Sequence, residues 1–324
     1  MATGSNSERE VRVSEALLAK LSTRVAAPSQ TWPTVRCWTN HSLQALLREI
    51  RSELAEDGLK SDSTHKSIAE WLSKIGIEHT IEAEGQSFHL LEMGAKLGSP
   101  PDALEFMMAA QPAGVVAYFS AVAFHSLTTQ PAVHHHIATV VLSSPRSSPS
   151  RSDDEADRKQ TSPKSPSDSK MPRLGKLMFR HQSIPYYSTR RSARLVPGIQ
   201  IRGHGPRSQI RMTDTEQTLL DTLSKPFHCG GPEVVFEAWN EATESGRIDE
   251  DKLADYLQRM DYPATSRRLA VMCSILGYSP GRELRKILEQ AKGEIDRARP
   301  FVRISLLPGL AYKNLDDNWL VLTP

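Results

Sequence analysis

Residues Ser143 to Lys170 read SSPRSSPSRSDDEADRKQTSPKSPSDSK, a run with almost no apolar side chain. Such a stretch cannot bury enough surface to offset the entropy of ordering it, so it is expected to be disordered. It interrupts two strand-like runs, HHHIATVVL before it and RLGKLMFRH after it. Whatever fold this chain adopts must tolerate a long polar insertion there. The position reads as an overgrown hairpin loop inside one domain, not as a boundary between two.

The chain has 324 residues, enough for about two domains on a ~150-residue prior. A net charge of +2 with 39% hydrophobic residues is an ordinary composition for a globular protein. Cys37, Cys229 and Cys273 are odd in number, widely spaced and in no CxxC pattern. That argues against a disulfide framework and a zinc finger, and for a reducing, cytoplasmic setting. MATGSNSERE has no apolar h-region, so no secretory signal is visible. The most apolar run, LEFMMAAQPAGVVAYFSAVAF, is broken by Glu105, Gln111 and Pro112, and reads as two buried elements joined at Pro112, not as a membrane span.

Ahead of these features, SLQALLREIRSELAEDG places Leu43, Leu46, Leu47, Ile50 and Leu54 on one helical face, with Gly58 as a stop. STHKSIAEWLSKIG gives a second helix with Ile68, Trp71, Leu72 and Ile75 inside. IEHTI, the turn EAEGQ and SFHLLEM then read as a β-hairpin. Helix, helix and hairpin in that order is the layout of a winged helix, spanning about residues 42–93 of an N-terminal region 1–95. The second helix would enter the DNA major groove, with Ser61, Ser63, His65 and Lys66 at its exposed start. Charge opposes this. Residues 1–95 hold ten Lys/Arg against thirteen Asp/Glu, and Glu82 and Glu84 sit on the wing, where they repel phosphate. A helix–hairpin module for protein contact or dimerisation is the alternative, leaving the chain a monomer or a dimer.

From Met171 to Thr213 there are nine Lys/Arg and no acidic residue, with Phe179, Tyr186 and Tyr187 interleaved. Arg190, Arg191, Arg194 and Arg202 are the candidate contacts there, because clustered arginines with aromatics can grip a nucleic-acid backbone. The bland reading is a cationic strand face that meets an acidic protein. Without carboxylates the block fits no acid–base template. His134 and His136 would share one face of a strand, and only His125 is a plausible third ligand, so no metal site is expected. RGHGPRSQ lacks the lysine and helix start of a phosphate-cradling loop and reads as a hairpin turn.

RMTDTEQTLLDTLSKPFHCGG raises the question of a Cys–His active site. Thr213 or Asp214 can cap a helix, Leu219, Leu220 and Leu223 form its apolar stripe, and Pro226 ends it. Cys229 precedes a new helix at Pro232, beside His228, but sequence neighbours rarely face each other and no third group orients them. The stretch reads as a helix and its turn, with no catalytic residue. From Arg247 to Lys292 three amphipathic helices follow, and FVRISLL and NWLVLTP add short strands. The expected fold class is α+β: a winged-helix-like domain in 1–95, then a mixed α/β domain over 96–324 with a helical C-terminal part, interrupted at 143–170.

PAGVVAYFSAVAFHSLTTQ, the basic β region and IRMTDTEQTLLDTLSKPFHCGGPEVV together resemble the AbiEi family of bacterial antitoxins, over roughly Ser99 to Gly277 and more loosely the N-terminal region. SAVAFHSLT and TEQTLLDTLSKPFHCGG are the most specific pieces, and both look like packing motifs. The resemblance implies a non-enzymatic regulator of an abortive-infection operon that needs no cofactor. Its winged helix would bind promoter (operator) DNA and repress the operon, and its C-terminal domain would counteract a nucleotidyltransferase-like toxin. The family's wing usually carries basic residues, whereas here it reads EAEGQ, and the Ser/Pro-rich insertion is also a departure. The competing readings are a nuclease or nucleotidyltransferase, and a protein-binding module without DNA binding. Two-metal chemistry needs clustered carboxylates on strands, and the acidic residues instead crowd onto the helices after Asp214, where they read as solvated faces.

Overall fold

A computed structural model of the chain describes residues 3–29, 31, 33–59, 64–93, 100–142, 173–204, 208–297, 303–308 and 313–323. Ser61, Ser63 and the whole of Ser143–Lys170 lie outside them. The fold is mixed α/β, with ten α-helices and three sheets among the described residues. None of these helices is long and apolar enough to cross a membrane.

The chain forms two compact units. The first comprises 1–114, 178–186 and 201–210, and the second 115–177, 187–200 and 211–324. A single boundary near residue 95 is therefore corrected: the units interleave, and the chain passes between them inside strands.

In the first unit, α1 (Thr3–Arg24), β1 (Cys37–Thr39), α2 (Asn40–Glu56), α3 (His65–Lys74), β2 (Glu78–Ala83) and β3 (Gln86–Leu91) follow one another. Thr39 and Ser42 close a reciprocal capping box at the start of α2, and Thr64 caps α3 by accepting from the Ser67 amide. The five apolar residues expected inside α2 are all buried. Each contributes roughly 1.5–3 kcal/mol relative to exposure. Ile68 and Leu72 join them from α3, while Ile75 is the exposed cap residue instead of an inward one. Leu17 and Leu21 of α1 and Val25 just after it, with Val35 and Trp38, complete the same core. The β-hairpin turns at Gly85, whose φ of +99° suits glycine. The strand order is β1-β3-β2, all antiparallel. Behind the sheet, α4 (Ala103–Ala110) brings Phe106 edge-on to Phe88 at 4.9 Å, and Phe179 meets Phe88 at the same distance. Arg36 and Glu105, both buried, form a two-pronged ion pair in this unit.

The second unit contains β4 (Val115–Val116), α5 (Phe119–Phe124) and β5 (His135–Val141). Strands β6 (Lys176–His181), β7 (Ile184–Ser192), β8 (Ile199–Gly203) and β9 (Gln209–Thr213) are shared between the units by chain passage. Strand order is β6-β7-β5-β4-β9-β8, so β7 stands beside β5, and β5 and β6 are not hairpin partners. The overgrown-hairpin expectation fails because β6 pairs with the strand that follows it. Helices α6 (Thr215–Ser224), α7 (Pro232–Glu244), α8 (Glu250–Met260), α9 (Pro263–Ile275) and α10 (Arg282–Arg297) follow, then β10 (Ile304–Ser305), β11 (Asn314–Asp316) and β12 (Val321–Thr323).

Helix α6 is capped by Asp214, which accepts from the Gln217 amide, and Leu219, Leu220 and Leu223 are fully enclosed. Its polar residues are enclosed too. Glu216, Gln217, Thr218, Asp221 and Thr222 are all buried. The reading of the acidic residues after Asp214 as solvated faces is corrected for Asp214, Glu216 and Asp221. They are held by hydrogen bonds: Gln217 donates to Asp221 at 2.8 Å, Tyr256 to Asp214 at 2.5 Å and the Asp249 amide to Glu216 at 3.1 Å.

Candidate nucleic-acid interface

On α3 the core side is Ile68 and Leu72, which turns Lys66, Ser67, Glu70, Ser73 and Lys74 outward. His65 is the first residue of the helix and Lys66 is exposed, while Ser63 lies outside the described residues. The hairpin stands in the same unit. Its carboxylates are not bare: Ser87 donates to Glu82 at 2.7 Å, and Arg180 lies 3.9 Å from Glu84 across an isolated bridge. Both partners of that ion pair are exposed, so it does little for stability, but it offsets charge on the wing. A groove of about 1150 Å³ opens between the hairpin and the start of α2. Asn40, His41, Gln86, Ser87 and His89 offer polar groups to it, and Glu82 adds a negative one. His89 is fixed by its Nδ1, 2.8 Å from the buried Glu78 carboxylate.

The basic block is distributed between the two units. Arg202 is exposed on β8 within the first. Arg190 and Arg194 are exposed in the second, on β7 and on the 3₁₀ turn Ala193–Leu195. Arg191 is not available, which corrects its assignment to DNA. Its guanidinium grips both oxygens of Asp221 at 2.6 Å, donates to the Leu195 carbonyl at 3.1 Å, and lies 5.0 Å above the Tyr118 ring. The side chains of Arg191 and Asp221 are 9% and 1% exposed, so the pair is a closed structural element. Burial alone would lower the arginine pKa, but the Asp221 carboxylate outweighs it and keeps the guanidinium charged. The absence of a carboxylate inside the segment hid this partner, thirty residues further on. A sequence signal did exist. Successive strand residues point to opposite faces, so wherever one face of the sheet is covered only one of Arg190 and Arg191 faces outward.

The Cys–His question has a structural answer in the second unit. Cys229 ends the 3₁₀ turn Pro226–Cys229 and is fully buried, and that burial pushes its thiol well above the ordinary cysteine range. It is an inert packing residue, not a thiolate nucleophile. Gly230 follows at φ +101°, with the Phe119 ring 2.6 Å from where a Cβ would be, so only glycine fits. His228 does find other histidines: its ring stacks on His136 at 5.2 Å, and His134 meets His136 edge-on at 4.9 Å. His125, the third ligand considered from the sequence, instead contacts the Thr213 carbonyl through Nε2 at 2.8 Å. Among the described residues no three His, Cys, Asp or Glu side chains converge as a metal site.

No protein-family model matches the chain, and no curated protein does. Among solved structures the chain is similar to the RV2827C protein of Mycobacterium tuberculosis, at 10% sequence identity and a TM-score of 0.49, over 96% of this chain and 91% of that one.

Proposed function

We propose that the chain is a non-enzymatic DNA-binding regulator whose first unit acts as a winged helix. The supporting observation is the order α1-β1-α2-α3-β2-β3 with strands arranged β1-β3-β2. On this reading α2 and α3 would serve as the helix-turn-helix and the β2–β3 hairpin as the wing. Helix α3 would enter the major groove by its N-terminal turn, with His65 and Lys66 at base edges or phosphates. Arg190, Arg194 and Arg202 would supply contacts to the phosphate backbone. The resemblance to AbiEi antitoxins extends the reading to repression of the protein's own promoter and to opposition of a nucleotidyltransferase-like toxin. A buried, protonated Cys229 fits a regulator better than a thiol enzyme.

The deciding experiment is a gel shift with the protein's own promoter and with random duplex, at two salt concentrations. Binding should weaken steeply with salt, as release of counterions from several phosphates requires. His65→Ala with Lys66→Ala should lower promoter affinity at an unchanged thermal midpoint. An unaltered shift would remove α3 as the reader. A second reading, toxin contact through the exposed Arg190 and Arg194, is separated by the double Ala variant at these two positions. DNA affinity should drop equally for both duplexes if they touch phosphate. Only toxin neutralisation in cells should drop if they touch protein.

A further inference from the structure

We infer that His134, His136 and His228 form a proton-operated latch that fastens the start of β5 to the Pro226–Cys229 turn and opens in mild acid. The geometry carries it. His136 is fully enclosed, and its Nε2 donates to the Leu174 carbonyl at 2.7 Å. A second proton has only Nδ1 to go to, and that nitrogen is buried with no hydrogen-bond partner among the described residues. His134 donates from Nε2 to the His228 carbonyl at 3.1 Å, so its added proton also belongs on Nδ1. His136 lies between the His228 and Tyr187 rings, at 5.2 and 5.4 Å, and Tyr118 closes the side at 5.0 Å from His228.

Among the described residues no charged neighbour compensates a cation here. From β5 and the residue before it the groups are His134, His135 and His136, and from the residue before α5 Tyr118. Strand β7 brings Tyr187 and Arg191, α6 with its end brings Asp221 and Lys225, and the turn brings His228 and Cys229. Arg191 and Lys225 are positive and disfavour a charged His228, and Asp221 already grips Arg191 with both oxygens. Burial accordingly lowers His136 to about 3 and His228 to about 4, and lowers His134 as well. Once released, these histidines titrate near their ordinary ~6.5, so the open form takes up protons that the closed form refuses. The latch is at full strength above that pH and weakens as pH falls toward 4. Opening uncovers Cys229.

The test labels the full chain with a disulfide reagent that reacts in acid, and maps modified cysteines by mass spectrometry. Relative to a free-cysteine standard, Cys229 labelling should rise between pH 7 and 5, by on the order of 30-fold for each histidine released. Cys37, buried in the other unit, serves as the internal reference. His136→Phe with His228→Phe keeps flat rings in the stack and should remove most of the rise. If that variant does not fold, His228→Phe alone should lessen it, and its urea midpoint should fall less than the wild type's between pH 7.5 and 5.5. Flat labelling of wild-type Cys229, or an equal rise in the folded Phe variants, would overturn the latch.

Discussion

Arg190 and Arg191 are adjacent on β7, so the pleat sends one to solvent and the other into the interior. Removing one partner of a buried ion pair leaves a bare charge, so Arg191→Ala or Asp221→Ala should each cost about 3–5 kcal/mol. Arg191→Met with Asp221→Leu should recover most of that loss, because it removes both desolvated charges together. Urea denaturation of the four forms completes the cycle, and a double variant as unstable as the singles would contradict it. Arg190→Ala should stay within about 0.5 kcal/mol of wild type, as exposed positions usually do. A Cβ at Gly198 would lie 2.5 Å from the Asp214 carboxylate, 2.6 Å from the Tyr256 ring and 2.8 Å from Gln217. Gly198→Ala should therefore destabilise by about 1–3 kcal/mol in thermal or urea unfolding. Neither Asp221 nor the surroundings of Gly198 was legible in the sequence, because both contacts join residues far apart along the chain.

At the scale of elements, periodicity carried α2, α3, the β2–β3 hairpin and α6 into view, since each is patterned by its own burial. The long α1 has weaker marks. It shows Leu17 and Leu21 to the core but spaces its remaining apolar residues irregularly, so no clean stripe announced it. Strand partners were hardest to read, because β5 meets β7 across intervening chain and no local pattern encodes that choice. Caps remain the most local signal, and they yield a prediction. Thr64 accepts from the Ser67 amide at 3.2 Å, and Thr64→Ala should cost α3 about 1 kcal/mol. If α3 reads DNA by its first turn, that variant should exchange amide hydrogens faster there and bind the promoter more weakly, with affinity restored by Thr64→Ser. Faster exchange with unchanged binding would detach the start of α3 from recognition.

For the whole molecule, the interleaving of the two units matters more than the number of domains. Length and composition allowed two domains, but a cut near residue 95 would sever the first unit from its own supports. It would strip Phe88 of Phe106 and Phe179, and leave the buried Arg36 without Glu105 and the Pro100 carbonyl. Losing two aromatic neighbours and one half of a buried ion pair combines costs of about 3–5 kcal/mol each, comparable to the whole stability of a small domain. A 1–95 fragment should consequently unfold without a cooperative transition and bind a hydrophobic dye at neutral pH. The full chain should show a sharp transition under the same conditions. The comparison also bears on function, because a helix presented to DNA must be held rigidly to discriminate among sequences. Promoter binding by the fragment at full-length affinity, with a cooperative melt, would mean that α1, α2, α3 and the hairpin hold themselves together and that α4 and β6 are dispensable to them.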